Sequence, residues 1–308
     1  MSPDRESSAA IASDRAARMG LIALLMGAVG IAFAPIFVRL SELQPSATAF
    51  HRLLFALPLL WIWTTMETRS DRPPRQPTQS SEIGWLVLAG LCFTGDLAVW
   101  HWSIRFTSVA NATLFANFAP IFVSTGAWLF LKERITLTFV AGLVFALFGA
   151  SLMIGASFGS GPQRVLGDGL GLITAVFYAG YILSVKRLRS LFSTATIMAS
   201  SGLVTCVALL PIALLSGESL IATSLWGWAV LMGLAWISHV GGQGLIAYAL
   251  AHLPVSFASV ALLLQPATAA VLAWILLDES LGPLQATGGA LVLLGILLAR
   301  RASLPAAA

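Results

Sequence analysis

Long hydrophobic stretches recur along almost the whole chain and alternate with short polar segments. A helix needs about 20 consecutive apolar residues to span a bilayer, and ten stretches approach or exceed that length. They cover roughly residues 19–40, 45–65, 83–104, 107–131, 135–155, 168–186, 194–215, 225–250, 254–277 and 281–299. The pattern predicts an all-α membrane protein with ten transmembrane helices, numbered here as spans 1 to 10.

The composition supports the membrane class. Of the 308 residues, 58% are hydrophobic and only 10% are charged, which leaves too little polar surface to cover a soluble protein of this size. The first hydrophobic stretch is too long for the core of a signal peptide. We therefore expect span 1 to be retained, with residues 1–17 as a disordered cytoplasmic tail.

The positions of the basic residues predict the orientation of the chain. Cytoplasmic loops of membrane proteins are enriched in Lys and Arg. If both termini are cytoplasmic, the inner side holds most of the 17 Lys and Arg residues, whereas the outer side holds only Arg39, Arg105 and Arg164. The sequence pI near 9.6 is thereby explained by topology, and no basic patch interleaved with aromatic residues indicates nucleic-acid binding.

The second half of the chain repeats the first half. Residues 109–134 align with residues 255–280, and the same offset continues into the next span. The aligned pairs include Pro120 with Pro266, Trp128 with Trp274, Glu133 with Glu279, Gly142 with Gly288 and Gly149 with Gly295. We predict two five-helix repeats, residues 18–156 and 166–302. Because five is an odd number, the second repeat enters the membrane inverted relative to the first.

Two ionisable residues are predicted to lie near the middle of the bilayer, Asp96 in span 3 and His239 in span 8. Such a residue costs about 3 kcal/mol or more in lipid and usually faces a cavity or a polar partner. A carboxylate and an imidazole between two inverted halves suit a zwitterionic solute. The alternative is that each is an internal polar group satisfied within its own bundle.

Residues three, four and seven positions apart share one face of a helix, and this spacing places polar and aromatic side chains beside both residues. His101 lies on a neighbouring face, so a position at the cavity rim stays open for it. The residues that we expect to bind substrate are Asp96, Trp100, His101, Asn117, Tyr178, Tyr181, Trp236, His239, Gln243 and Gln265.

Pro120 and Pro266 are expected to kink spans 4 and 9, because proline removes a backbone hydrogen-bond donor. Asn117 and Gln265 are close enough to bind the freed carbonyl groups, so helix repair and substrate contact are both open for them. In the outer part of span 2, where long side chains can reach the membrane interface, we expect Arg52 to have a structural role and to meet an acidic partner such as Glu42.

The residues that carry these features resemble a known family. The run from Asn117-Phe118-Ala119-Pro120 to Leu131-Lys132-Glu133-Arg134 and its repeat in residues 265–279 are similar to those of EamA-type transporters in the drug/metabolite transporter superfamily. Within it, the chain looks most like the YddG-type exporters of amino acids. The resemblance implies ten helices in two inverted repeats and an export function.

The sequence therefore favours a secondary transporter that exports small metabolites, foremost amino acids including aromatic ones, across a bacterial inner membrane by alternating access. Protons are a candidate coupling ion, through Asp96 or His239. No cofactor or metal is expected, and no HExxH, GxxxxGK[ST] or GxSxG motif occurs. Efflux of aromatic or cationic drugs is the main alternative. An intramembrane enzyme using His101, His239 and Asp96 is the remote one.

Overall fold

The computed structural model describes residues 3–69, 74–107, 109–154, 162–277 and 282–303. Every regular element within these ranges is helical. Nine helical stretches among them are long and apolar enough to cross a membrane, and a shorter apolar helix, Leu137–Met153, occupies predicted span 5. The expected all-helical membrane architecture is confirmed. The inverted relation of the two halves and the side on which the termini lie stay predictions.

The helices of the first half are α1 (Pro3–Ala32), α2 (Ala34–Leu40), α3 (Pro45–Thr68), α4 (Ser80–Phe106), α5 (Val109–Ala116), α6 (Ala119–Leu131) and α7 (Leu137–Ile154). Those of the second half are α8 (Pro162–Leu188), α9 (Thr194–Leu215), α10 (Leu225–Gly233), a π-helical segment (Leu234–Gln243), α11 (Gly244–Ala249), α12 (Val255–Ala261), α13 (Leu264–Leu277) and α14 (Pro283–Ser303). From Pro3 onward, the residues expected to form a disordered tail belong to α1, and the many alanines of this segment favour a helix.

Three spans are each divided into two helices at a proline. Pro35, Pro120 and Pro266 stand at or near the start of α2, α6 and α13, where their missing N–H group costs least. The interruptions fall at Phe33, at residues 117–118 and at residues 262–263. The sequence predicted kinks at Pro120 and Pro266, whereas the interruption before Pro35 was not expected.

Span 8 departs from a regular α-helix over ten residues. The π-helical segment Leu234–Gln243 lies between α10 and α11 and packs closely on α1. A Cβ atom added to Gly30 would lie 2.9 Å from the Cα atom of Gly242, so glycine at both positions permits this approach. A π-helix forms i→i+5 hydrogen bonds, which changes the set of residues that share a face.

The helices α7 and α14 pack backbone to backbone through glycines. A Cβ atom on Gly142 would lie 2.7 Å from the carbonyl oxygen of Gly295, and one on Gly149 would lie 2.5 Å from that of Gly288. Small residues allow this close contact between membrane helices.

At the end of the bundle that is predicted to be cytoplasmic, charged side chains bind both sides of the turn between α11 and α12. The Glu133 carboxylate accepts hydrogen bonds from the backbone N–H groups of Val255, at 2.8 Å, and Ser256, at 3.1 Å, and from the Ser256 hydroxyl. Lys186 Nζ donates to the carbonyl oxygens of Leu250 and Leu253, at 2.8 and 2.7 Å. Glu133, in the first half of the chain, thus binds the N-terminus of α12, in the second half.

Candidate functional site

A cavity of about 840 Å³ lies where the three divided spans meet. Its size falls in the range of ligand pockets. The lining includes polar, aromatic and proline residues, among them Pro35, Arg39, Thr48, Arg52, Phe93, Asp96, Trp100, Thr113, Asn117, Pro120, Thr174, Tyr178, Gln243, Gln265, Pro266 and Gln285. Met153 of span 5 and Gln285 of span 10 are the sole lining residues from those two spans within the described part of the chain.

The residues four positions before the three prolines line the cavity. Proline lacks the N–H group that an α-helix would offer to the carbonyl four residues earlier. For Pro35 and Pro120 these carbonyls belong to Ile31 and Ala116, and both residues line the cavity. At the third break the carbonyl of Leu262, also in the lining, accepts a hydrogen bond from the backbone of Gln265 at 2.9 Å.

The helix α4 presents its predicted face to the cavity. Phe93, Asp96 and Trp100 all line it, because α4 is a regular α-helix and residues at this spacing share one face. The Asp96 carboxylate is half-buried, and among the described residues it interacts electrostatically with Arg52 and forms no hydrogen bond. The next residue of the predicted face, Ser103, donates a hydrogen bond to the Gly167 carbonyl at 2.7 Å and joins α4 to α8.

Arg52 is the functional candidate that the sequence reasoning missed. A structural role with an acidic partner such as Glu42 was expected, but the side chain lines the cavity. Glu42 instead binds the backbone of Thr223 and Ser224. The helix α3 turns Arg52 inward together with Thr48, which lies four residues earlier and also lines the cavity. A charged residue within a predicted span was itself a signal of such a role.

Several buried polar nitrogen atoms on the cavity wall have no hydrogen-bond partner in the described part of the chain. They are Nε of Arg52, Nδ2 of Asn117 and Nε2 of Gln265. All three are hydrogen-bond donors. The amide groups of Asn117 and Gln265 therefore do not donate to the carbonyls near the prolines, which was one of the two roles considered for them. Leaving a buried donor unpaired costs about 1–3 kcal/mol.

Aromatic rings form one wall of the cavity and continue behind it. Tyr178 lines the cavity, and its ring stacks on Tyr181 with centroids 6.2 Å apart. Tyr181 is buried and packs on Phe93 at 4.7 Å. The ring of His239 also packs on Phe93, with the centroids 5.5 Å apart. The predicted residues Tyr181 and His239 thus support the wall from behind, since neither belongs to the lining.

The π-helical segment explains the positions of the predicted residues in span 8. Gln243 lines the cavity and approaches the hydroxyl groups of Tyr178 and Tyr181. Trp236, expected on the same face, is instead 46% exposed on the outer surface, and its indole N–H donates to the Phe55 carbonyl at 3.1 Å. A π-helical turn takes more residues than an α-helical turn, so residues three and seven apart no longer share a face.

Three further features concern His101, metal-binding groups and the cysteines. The side chain of His101 lies outside the described residues, so its place at the cavity stays a prediction. Within the described residues, no group of three or more His, Cys, Asp or Glu side chains is placed to hold a metal ion. The cysteines Cys92 and Cys206 are free thiols in separate helices.

Known proteins share this architecture and part of this sequence. A solved crystal structure with 18% sequence identity superposes with a TM-score of 0.76, covering 94% of this chain and 97% of the other. An uncharacterized transporter of Archaeoglobus fulgidus is 25% identical over 284 residues, which is 90% of this chain and 95% of the relative.

Two further relatives have names that include a solute. A probable terminal-alkyne amino-acid exporter of Streptantibioticus cattleyicolor is 28% identical over 206 residues, 66% of this chain and 68% of the relative. The pseudopaline exporter CntI of Pseudomonas aeruginosa is 25% identical over 219 residues, 71% of this chain and 75% of the relative.

The model of the EamA-like transporter family matches the chain twice, over residues 18–155 and 165–301. These two matches cover most of the 308 residues, and they confirm the resemblance drawn from the Asn117–Arg134 run. The chain is a membrane transporter that belongs to the EamA-like family.

Proposed function

We infer that this transporter exports amino acids, including aromatic ones, by alternating access. The observation that carries this inference is the cavity, which combines one carboxylate, Asp96, with unpaired donors at Arg52, Asn117 and Gln265. A zwitterion presents an ammonium group to the carboxylate and a carboxylate to the donors. The cavity therefore offers both charges that an amino acid needs.

The walls of the cavity suit a small amphipathic solute. Phe93, Trp100 and Tyr178 supply aromatic surface, which contacts an apolar or aromatic side chain by offset or edge-to-face packing. The named relatives support the direction and the broad class of solute, because one is a probable amino-acid exporter and another a pseudopaline exporter.

The positions of the lining residues at helix ends support the proposal that the cavity opens to the outside of the membrane. Its lining extends to Arg39, Pro45 and Gln285, at helix ends that are predicted to be external. At the opposite end, Glu133 and Lys186 hold the turn between α11 and α12. In this proposal, the two halves rock against each other so that access alternates between the sides, and the membrane is the bacterial inner membrane.

Efflux of cationic drugs stays a second hypothesis, favoured by the Asp96 carboxylate beside Trp100 and Tyr178. Aromatic rings and a carboxylate attract organic cations. The buried guanidinium group of Arg52 in the same cavity repels them, so the geometry favours a zwitterion. An enzyme acting through Asp96 and His239 together is disfavoured, because His239 packs behind Phe93 and does not line the cavity.

The test is uptake of radiolabelled phenylalanine and other amino acids into liposomes that contain the purified protein. We expect saturable uptake that falls at least about tenfold in Asp96→Asn, the loss typical of a charged hydrogen bond. Asp14→Asn is the matched control, because Asp14 forms an exposed ion pair with Arg18. No uptake above empty liposomes by folded protein would overturn the proposal. Repeating the assay with an imposed proton gradient tests proton coupling.

A further inference from the structure

Arg52 is an unusual guanidinium group, because it is buried without an ion-pair partner. Only 9% of the residue is exposed. Its Cζ atom lies over the ring of Phe93, 5.9 Å from the centroid, which is a favourable position for a cation. No ion pair joins it to a carboxylate among the described residues, and its Nε atom has no hydrogen-bond partner there. Burying such a charge is costly unless something pairs with it.

The carboxylate in the cavity that interacts electrostatically with Arg52 is that of Asp96. Arg52 and Asp96 interact electrostatically, yet they do not form a direct ion pair. The two side chains project from different helices, α3 and α4, and both line the cavity. They therefore present opposite charges to the same cavity without neutralising each other in a direct ion pair.

The other unpaired groups around the cavity are also donors. Asn117 and Gln265 each have a side-chain nitrogen without a partner within the described residues. A carboxylate accepts several hydrogen bonds at once. The Nε–H group of an arginine and one of its terminal amino groups form an edge with two parallel donors, which matches the two oxygens of a carboxylate.

We propose that Arg52 binds the carboxylate of the transported solute and thereby selects carboxylate-bearing zwitterions against organic cations. Asp96 binds the ammonium group of the same solute, while Phe93 lies beneath the guanidinium group. This assignment rests on the proposed function. It adds to that function a specificity-determining residue and a requirement, namely that the solute carries a free carboxylate.

A pair of solutes that differ only in the carboxylate tests the assignment. Phenylalanine and phenylalaninamide share the aromatic ring and the amino group, whereas the amide lacks the anionic charge. In proteoliposomes, we expect wild-type protein to transport phenylalanine at least about tenfold better than the amide, as expected for the loss of charged hydrogen bonds. Excess amide is then a correspondingly weak competitor of labelled phenylalanine.

Variants at Arg52 separate recognition from folding. Arg52→Gln is expected to lose most phenylalanine uptake and to treat the acid and the amide alike. Arg52→Lys keeps the charge but not the two-donor edge, so we expect partial recovery of the preference for the acid. Arg187→Gln is the matched control, because Arg187 stacks on Trp85 at 4.7 Å and does not line the cavity.

The outcomes distinguish this inference from the proposed function. If wild-type protein transports phenylalanine and its amide equally, or if folded Arg52→Gln keeps the wild-type preference, the role of Arg52 is overturned and amino-acid transport stands. If wild-type protein transports neither amino acid nor amide, both proposals fall. The competition by amide in wild-type protein needs no variant, and Arg52→Lys carries the test of Arg52 itself if Arg52→Gln does not fold: an unchanged preference for the acid in Arg52→Lys would overturn the need for the two-donor edge.

Discussion

Glu42 and Glu218 each bind the N-terminus of a helix in the opposite half of the chain. Glu42 binds that of α10, and Glu218 binds that of α3. Glu42 accepts hydrogen bonds from the backbone N–H groups of Thr223, at 2.7 Å, and Ser224, at 3.1 Å, just before α10. Glu218 accepts one from the backbone N–H group of Ala47, at 2.8 Å, in the first turn of α3. Carboxylates stabilise helix N-termini through the unpaired N–H groups and the helix dipole. This exchange joins the two halves at the end predicted to be external.

The pH dependence of the Glu42 contact is the first prediction. Hydrogen bonds from the side chains of Ser224 and Thr223 lower the pKa of Glu42 from 4.5 to about 2. The stabilisation is therefore complete above pH 4.5 and is lost as the pH falls through about 2. We expect Glu42→Gln to lower the Tm in detergent at pH 7. We expect the Tm difference between the variant and wild type to shrink as the pH falls towards 2. Equal Tm values at pH 7 would contradict this.

The glycine contact between α7 and α14 gives a second prediction. Because a Cβ atom on Gly149 would lie 2.5 Å from the Gly288 carbonyl oxygen, we expect Gly149→Ala to destabilise the protein by about 1–3 kcal/mol. Gly84→Ala is the control, since a Cβ atom there would meet no atom within 4 Å. In the helix α4, that substitution is expected to be neutral or to stabilise by up to about 1 kcal/mol. Thermal unfolding of both variants checks the contrast, and an equal response of the two would refute it.

Glu133 supplies a third prediction. Its carboxylate accepts hydrogen bonds from the backbone of Val255 and from the backbone and hydroxyl of Ser256. Glu133→Gln keeps the shape but removes the charge, so we expect a loss of about 1–3 kcal/mol in the free energy of unfolding. Asp14→Asn removes a carboxylate from an exposed ion pair with Arg18 and should cost at most about 1 kcal/mol. Denaturation monitored by circular dichroism compares the two, and a loss no larger in Glu133→Gln would count against the contact.

A fourth prediction concerns which aromatic residue reaches the solute. Tyr178 lines the cavity, whereas Trp236 lies on the outer surface. We expect Tyr178→Leu to reduce phenylalanine uptake by several-fold to about tenfold, because it removes an aromatic contact. Trp236→Leu should leave the KM for uptake unchanged. A larger KM effect from Trp236→Leu would place the solute on the other side of the π-helical segment.

Periodicity located cavity residues where the helix is regular. In α4, the spacing of Phe93, Asp96 and Trp100 predicted a shared face, and all three line the cavity. The prolines 120 and 266 likewise stand where the helices of their spans are divided. In these segments the local backbone follows ordinary helix geometry, so the order of residues is sufficient to give their relative directions.

Periodicity was insufficient in span 8 and span 2. The π-helical segment separates Trp236 from Gln243, and it forms where α1 approaches through Gly30 and Gly242. Arg52 was expected to be structural because it lies in the outer part of span 2, where a long side chain can reach the membrane interface. The structure turns it towards Asp96, and no local pattern indicates that rotation.

The sequence by itself determined that the chain is a helical membrane protein of the EamA-like family, because span length, composition and the repeated proline segments are local properties. Only the tertiary structure decided which polar groups meet. In a bilayer, the side of a helix that faces lipid is as apolar as the side that packs on protein, so hydrophobicity does not give the rotation of each helix. The meeting of Arg52, Asp96 and the unpaired amides in one cavity depends on that rotation, and therefore on the packing of all the helices together.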